Sequence, residues 1–148
     1  MEMKALLSFV VLVAALGVSG CGESAPTSPS QVNVPFSTVD LSVGTGAEAT
    51  SGRPVTVNYT GWLYDAAGTN NKGSLFDSSR APGRAPLDFT IGGNDVIPGF
   101  SQGTLGMKVG GLRRVTMPPS LAYGAQGRAP TIPPNATLVF EIELLAVR

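Results

Sequence analysis

Ser78, Ser79 and Ser120 carry hydroxyls that could attack a substrate, but none has the base such a step needs. The chain contains no His, and no Lys stands at a motif spacing from these serines. Catalysis of the Ser-His-Asp or Cys-His type is therefore excluded. Cys21 is the single Cys, so zinc sites built on His or on several thiolates are excluded as well. Carboxylates, hydroxyls, backbone dipoles and apolar pockets remain, and no metal or cofactor is called for. Ten Lys and Arg balance ten Asp and Glu, which argues against nucleic acid as a partner, since phosphates demand clustered cations. Arg113-Arg114 reads as part of a strand with one solvated face rather than as a binding patch.

These residues must be positioned by one domain, because 148 residues leave little room for two. Apolar residues make up 43% and charged residues 14%, a balance that supports a packed core. With 19 Gly and 12 Pro, long helices are disfavoured and short strands joined by turns are expected. Apolar residues recur with period two in several segments. Val39, Leu41 and Val43 share one face, as do Val55, Val57 and Tyr59, and then Leu87, Phe89 and Ile91. Leu112 to Met117 is a further strand. In Thr137 to Val147, Leu138, Phe140, Ile142 and Leu144 face one way and Glu141 and Glu143 the other. This pattern describes an antiparallel sheet with one buried face. One segment, Pro98 to Lys108, suits a helix, with Pro98 in its first turn and Phe100, Thr104 and Met107 on one side. Gly99, Gly103 and Gly106 each cost it ~1 kcal/mol relative to Ala, so packing on the sheet must hold it. The fold class is α+β. The polar, turn-rich stretch from Trp62 to Leu75 is expected on the surface.

The amino terminus reads as an address. Ala5 to Ser19 is apolar and follows Lys4. It is shorter than the ~20 residues that a membrane span needs, as a secretory signal would be. Val18-Ser19-Gly20-Cys21 resembles a bacterial lipobox. That resemblance implies cleavage before Cys21 and lipid on its sulfur, with 1–20 as signal peptide, 21–36 as lipidated Cys and flexible tether, and 37–148 as the folded domain. It further implies an exported, membrane-anchored chain facing the periplasm or the cell exterior, on the outer membrane if the source is Gram-negative. With no second Cys, no intramolecular disulfide can form.

Five segments occur in order: VNYTGWL (57–63), LFDSSR (75–80), IGGNDVIPGF (91–100), LAYGAQG (121–127) and IPPNATLVFEIELL (132–145). Together they resemble the FKBP-type peptidyl-prolyl isomerases. The resemblance implies a strongly twisted five- to six-stranded antiparallel sheet wrapped around one short helix. It also implies an apolar pocket between them, formed by Tyr59, Phe76, Asp77, Val96, Ile97, Phe100, Tyr123, Ile132 and Phe140, with Phe89 as an aromatic at the pocket base. Asp95, Arg84, Leu87, Arg128 and Thr131 match rim positions. Phe100 stands where the best-known members carry Trp, and Arg128 and Thr131 replace a frequent His and an apolar residue.

The implied activity is cis-trans isomerisation of Xaa-Pro bonds in unfolded or partly folded exported proteins. The partners are proline-containing polypeptides, macrolide inhibitors and, through the lipid, a membrane, and the chain is expected to be a monomer. Amide rotation needs no nucleophile or metal. It needs a site that prefers the twisted amide to either planar form, and an apolar pocket does so by disfavouring the more polar planar state. Taken alone, Phe89 and Phe140 read as core residues and Asp77 as a turn or cap residue; only the ordered match gathers them into one site. A proline-binding or chaperone module without turnover, and an envelope lipoprotein whose sheet edge recruits partners, are the competing readings.

Overall fold

The computed structural model describes residues 34–148. Its main chain forms six antiparallel strands: β1 (Ser37–Ser42), β2 (Pro54–Tyr64), β3 (Lys72–Ser78), β4 (Leu87–Thr90), β5 (Leu112–Met117) and β6 (Leu138–Val147). One helix, α1 (Pro98–Thr104), lies between β4 and β5. The signal, Cys21 and the tether as far as Asn33 lie outside the described residues. Phe36, assigned above to the end of the tether, packs against the core.

The sheet runs β1-β5-β6-β2, and the far edge of β2 is shared. β4 pairs with Pro54 to Val57 and β3 with Thr60 to Tyr64. Register shifts interrupt β2 against both β6 and β3, and such bulges bend a strand and increase its twist. Val55, Val57, Phe89, Val115, Leu138, Phe140, Ile142 and Leu144 turn one face into the core, as their alternation requires.

The helix lies on that face. Its glycines permit a close approach, since a Cβ on Gly103 would sit 2.6 Å from Val115 Cγ2 and one on Gly99 would sit 3.0 Å from Met117 Cβ. Phe100, Thr104 and Met107 are all buried. The helix ends at Thr104, short of the expected Lys108. Gly106 takes a positive φ of 76° and donates its N–H to Ala49 O at 2.8 Å, a left-handed stop that only glycine adopts freely.

Two further expectations are corrected. Val39, Leu41 and Val43 do not face a buried side: they are 55%, 40% and 75% exposed. β1 is the sheet edge, and seven-residue α1 packs over β5 and leaves the edge strand uncovered. Arg113 and Arg114 are not solvated; both side chains are mostly covered, and each binds a carboxylate, Asp40 and Glu141 respectively. The Trp62 to Leu75 segment, expected on the surface, forms the end of a hairpin whose turn is largely exposed. β2 continues to Tyr64, Asp65 to Asn71 make the turn, and β3 starts at Lys72, whose ammonium lies 4.1 Å from the Trp62 ring centroid.

Candidate active site

Aromatic side chains from β2, β3, β4, β6 and α1 meet in one cluster. Phe100 on α1 stands edge-on to Tyr59 (β2), Phe89 (β4) and Phe140 (β6), with ring centroids 5.6, 5.5 and 5.2 Å away. Phe76 of β3 meets Phe140 at 5.5 Å and 87°. Edge-to-face contacts of this kind each add ~0.5–1.5 kcal/mol beyond burial. Gly61 makes the Phe76–Phe140 pair possible: a Cβ there would lie 2.7 Å from both rings.

The rings open onto a cavity of about 610 Å³, within the usual size of a small-molecule site. Tyr59, Phe76, Asp77, Val96, Ile97, Phe100, Tyr123, Ile132 and Phe140 line it, and Arg84, Leu87, Asp95, Arg128 and Thr131 complete its wall. Every sequence-assigned pocket residue except Phe89 therefore reaches the cavity. Phe89 packs behind Phe100 and is buried, so it supports the floor without touching the space. Ala129 and Pro130 also line the cavity and were not anticipated, nor was Gly61. Ala129 and Pro130 belong to an irregular connection without periodicity, and Gly61 offers no side chain to read.

One wall of the cavity carries a hydrogen-bonded polar cluster. Tyr59 Oη donates to Asp77 Oδ2 at 2.7 Å. Arg84 Nη2 donates to Asp77 Oδ1 at 3.1 Å and to Tyr59 Oη at 3.3 Å. Ser79, buried beneath, accepts the Tyr59 N–H at 2.9 Å through its Oγ and fixes the strand at that point. Burial, followed by the bond to Asp77, pushes the Tyr59 phenol above its ordinary value, so it remains a neutral donor. Across the opening, the Arg128 guanidinium lies 5.9 Å from the Tyr123 ring centroid. The Ile97 N–H has no acceptor among the described residues. No cluster of metal-ligating side chains occurs among the described residues. This arrangement can bind an apolar ring and hydrogen-bond the chain on either side of it.

Residues 46–145 match the family model described as FKBP-type peptidyl-prolyl cis-trans isomerase. A protein of Neisseria meningitidis named FK506-binding protein is 48% identical over 108 residues, 73% of this chain and 92% of its own length. The crystal structure of FkpA from Escherichia coli superposes with a TM-score of 0.64 at 40% identity, covering 76% of this chain and 48% of that one. A peptidyl-prolyl cis-trans isomerase of Pseudomonas syringae gives a TM-score of 0.62 at 35% identity, covering 76% and 74%. With two thirds of its length matched to the family and the aromatic cavity in place, the chain belongs to the FKBP-type peptidyl-prolyl cis-trans isomerases.

Proposed function

We propose that this peptidyl-prolyl isomerase works by holding the twisted Xaa-Pro amide in its aromatic cavity, and that its substrates are unfolded or partly folded exported proteins. The observation that carries the mechanism is the floor of the cavity, where Phe100, Phe140, Phe76 and Tyr59 form a nearly unbroken aromatic surface. A proline ring seated there brings its amide out of water. Planar amide resonance separates charge between O and N, and rotation removes that separation. A weakly polar surrounding therefore raises the planar ground state more than the twisted state. In this reading the Ile97 N–H and the Tyr123 O–H, both in the cavity lining, take substrate carbonyls flanking the bond. No proton need move, which suits a chain without His.

Three further elements belong to this reading. FK506-type macrolides occupy the same cavity, as the names of the relatives suggest. Cys21 carries lipid, which tethers the domain to a membrane outside the cytoplasm. The uncatalysed step takes ~10–100 s at 25 °C, slow enough to limit the folding of exported chains.

The test is the cis-to-trans rate of an Xaa-Pro tetrapeptide with the whole chain, with and without FK506. Acceleration abolished by FK506 is the expected result. A folded chain that binds FK506 without accelerating the peptide would overturn the mechanism. For the anchor, Cys21→Ser should release the protein from membranes to the soluble fraction, and unchanged membrane retention would remove the lipid reading.

A further inference from the structure

A second cavity, of about 550 Å³, lies on the other flank of α1. Ile91 and Gly93 from the turn after β4 form one side, Pro98, Gln102 and Leu105 of the helix and its end form the other, and Val96 lines both this space and the aromatic cavity. The two cavities are therefore neighbours across a single side chain. The walls are held together: Gly92 N–H donates to Ser101 Oγ at 2.7 Å, which fixes the turn against the helix. The lining differs in chemistry from the first cavity. Asp77, Arg84, Asp95 and Arg128 charge the rim of the aromatic site, whereas no charged residue lines the second space. Leu105 is 45% exposed, although it is a large apolar residue at a helix end. Ile91 is buried as the floor, and Gln102 offers an amide that can both donate and accept.

We infer that this groove is a second subsite of the same active site, holding an uncharged, apolar stretch of the substrate polypeptide beside its Xaa-Pro bond. The inference rests on the isomerase mechanism proposed above. A chain whose proline sits on Phe100 next to Val96 has one direction that leads over Val96 into the groove. There, an apolar side chain meets Ile91, Pro98 and Leu105, and the peptide backbone meets the Gln102 amide. A charged side chain would lose water there and meet only the neutral polar groups of Ser51, Asn94 and Gln102, with no opposite charge in the lining. The groove therefore selects sequence a few residues away from the proline, which a tetrapeptide cannot report.

The experiment compares a tetrapeptide with peptides extended by four residues on either side, carrying Leu, Asp or Lys in the extension. Isomerisation is read by exchange NMR and binding by amide shifts of the protein. On the unaltered chain, the Leu extension on one side should raise kcat/KM over the Asp and Lys versions. Gln102→Lys should favour the Asp extension and disfavour the Lys extension by about two- to fivefold, the scale of one exposed charge pair. Leu105→Ser should lower the Leu extension alone, and the tetrapeptide should not change in either variant. Shifts at Gly93 and Leu105 should appear with the extended peptide and not with the tetrapeptide. Equal rates for all extensions, or no shifts at Gly93 and Leu105, would overturn the inference. Failure to turn over the tetrapeptide would instead sink the isomerase mechanism, and the shifts would still report the groove.

Discussion

Phe100 and Phe140 meet edge to face, with ring centroids 5.2 Å apart and planes at 90°. The contact joins the only α-helix among the described residues to the central part of the sheet, and it forms the cavity floor. Phe100→Leu keeps an apolar side chain but removes three ring contacts. We expect a loss of about 1–2 kcal/mol of stability and at least about a tenfold fall in kcat/KM, equivalent to ~1.4 kcal/mol. Phe100→Trp adds volume at a 3% exposed position and should also lower the melting temperature, since overpacking costs about 1–3 kcal/mol. Thermal unfolding and peptide isomerisation, measured on both variants, check this; turnover unaffected in Phe100→Leu would contradict the floor assignment.

The Tyr59–Asp77–Arg84 wall predicts an asymmetry. Arg84 is half exposed, so Arg84→Ala should cost at most about 1 kcal/mol of stability. Asp77→Ala leaves the Tyr59 hydroxyl without its acceptor at 2.7 Å, a loss of about 1–3 kcal/mol. Removing the hydroxyl as well, in Tyr59→Phe with Asp77→Ala, should recover part of that loss. A double-mutant cycle in urea reads the coupling, expected at about 0.5–3 kcal/mol for groups in contact. Strict additivity would mean that the bond contributes nothing.

Arg113 closes the end of α1. Its Nη1 donates to the carbonyls of Gly103 and Leu105 at 3.1 and 3.0 Å, and its Nε and Nη2 donate to Asp40 at 2.6 and 3.2 Å. A cation at a helix C-terminus satisfies orphan carbonyls and complements the dipole. Arg113→Gln should cost about 1–2 kcal/mol. Arg113→Lys should not restore it, because a point ammonium cannot serve two carbonyls and a carboxylate at once. Chemical denaturation of the two variants decides; a fully stable Lys variant would show that charge alone matters.

Period-two patterning made β2, β4 and β6 legible, because each turns an apolar row into the core; β5 sends only Val115 and Met117 there, with Arg113 on the same row. β3 was not legible: Lys72–Ser78 has no alternation, and it holds its place by pairing with β2 rather than by burial. β1 alternates but stays exposed, since alternation says that two faces differ and not that a helix covers one. The glycines of α1 read as a cost, yet Gly99 and Gly103 are what let it sit against Met117 and Val115. At the site, the motif segments carried all the lining aromatics. Phe89 looked the same in sequence and lies one layer deeper, a distinction made only by packing. Ala129 and Pro130 lie in a connection where no period exists to read.

The pH profile follows from the charged groups present. The chain has no His, so no side chain of ordinary value titrates between about pH 5 and 8. Tyr59 is raised by burial and by Asp77. Its neutral form is thus favoured by folding, and that stability is fully present below the unfolded value near 10 and lost as pH rises through the higher folded value. Glu141 behaves in the opposite way. Burial works against its charge, but hydrogen bonds from Lys72 and Arg114 outweigh this and lower its value. Its contribution is present above the unfolded value near 4.5 and is lost as pH falls through the lower folded value. Both kcat/KM and stability should therefore be flat from about pH 6 to 9. Glu141→Gln should remove part of the acid loss and cost about 1–2 kcal/mol at neutral pH, between exposed and buried pairs. Tyr59→Phe should remove part of the loss above pH 10. A step in kcat/KM near pH 6–7 would show a titrating group in the reaction, and the mechanism without proton transfer would have to be abandoned.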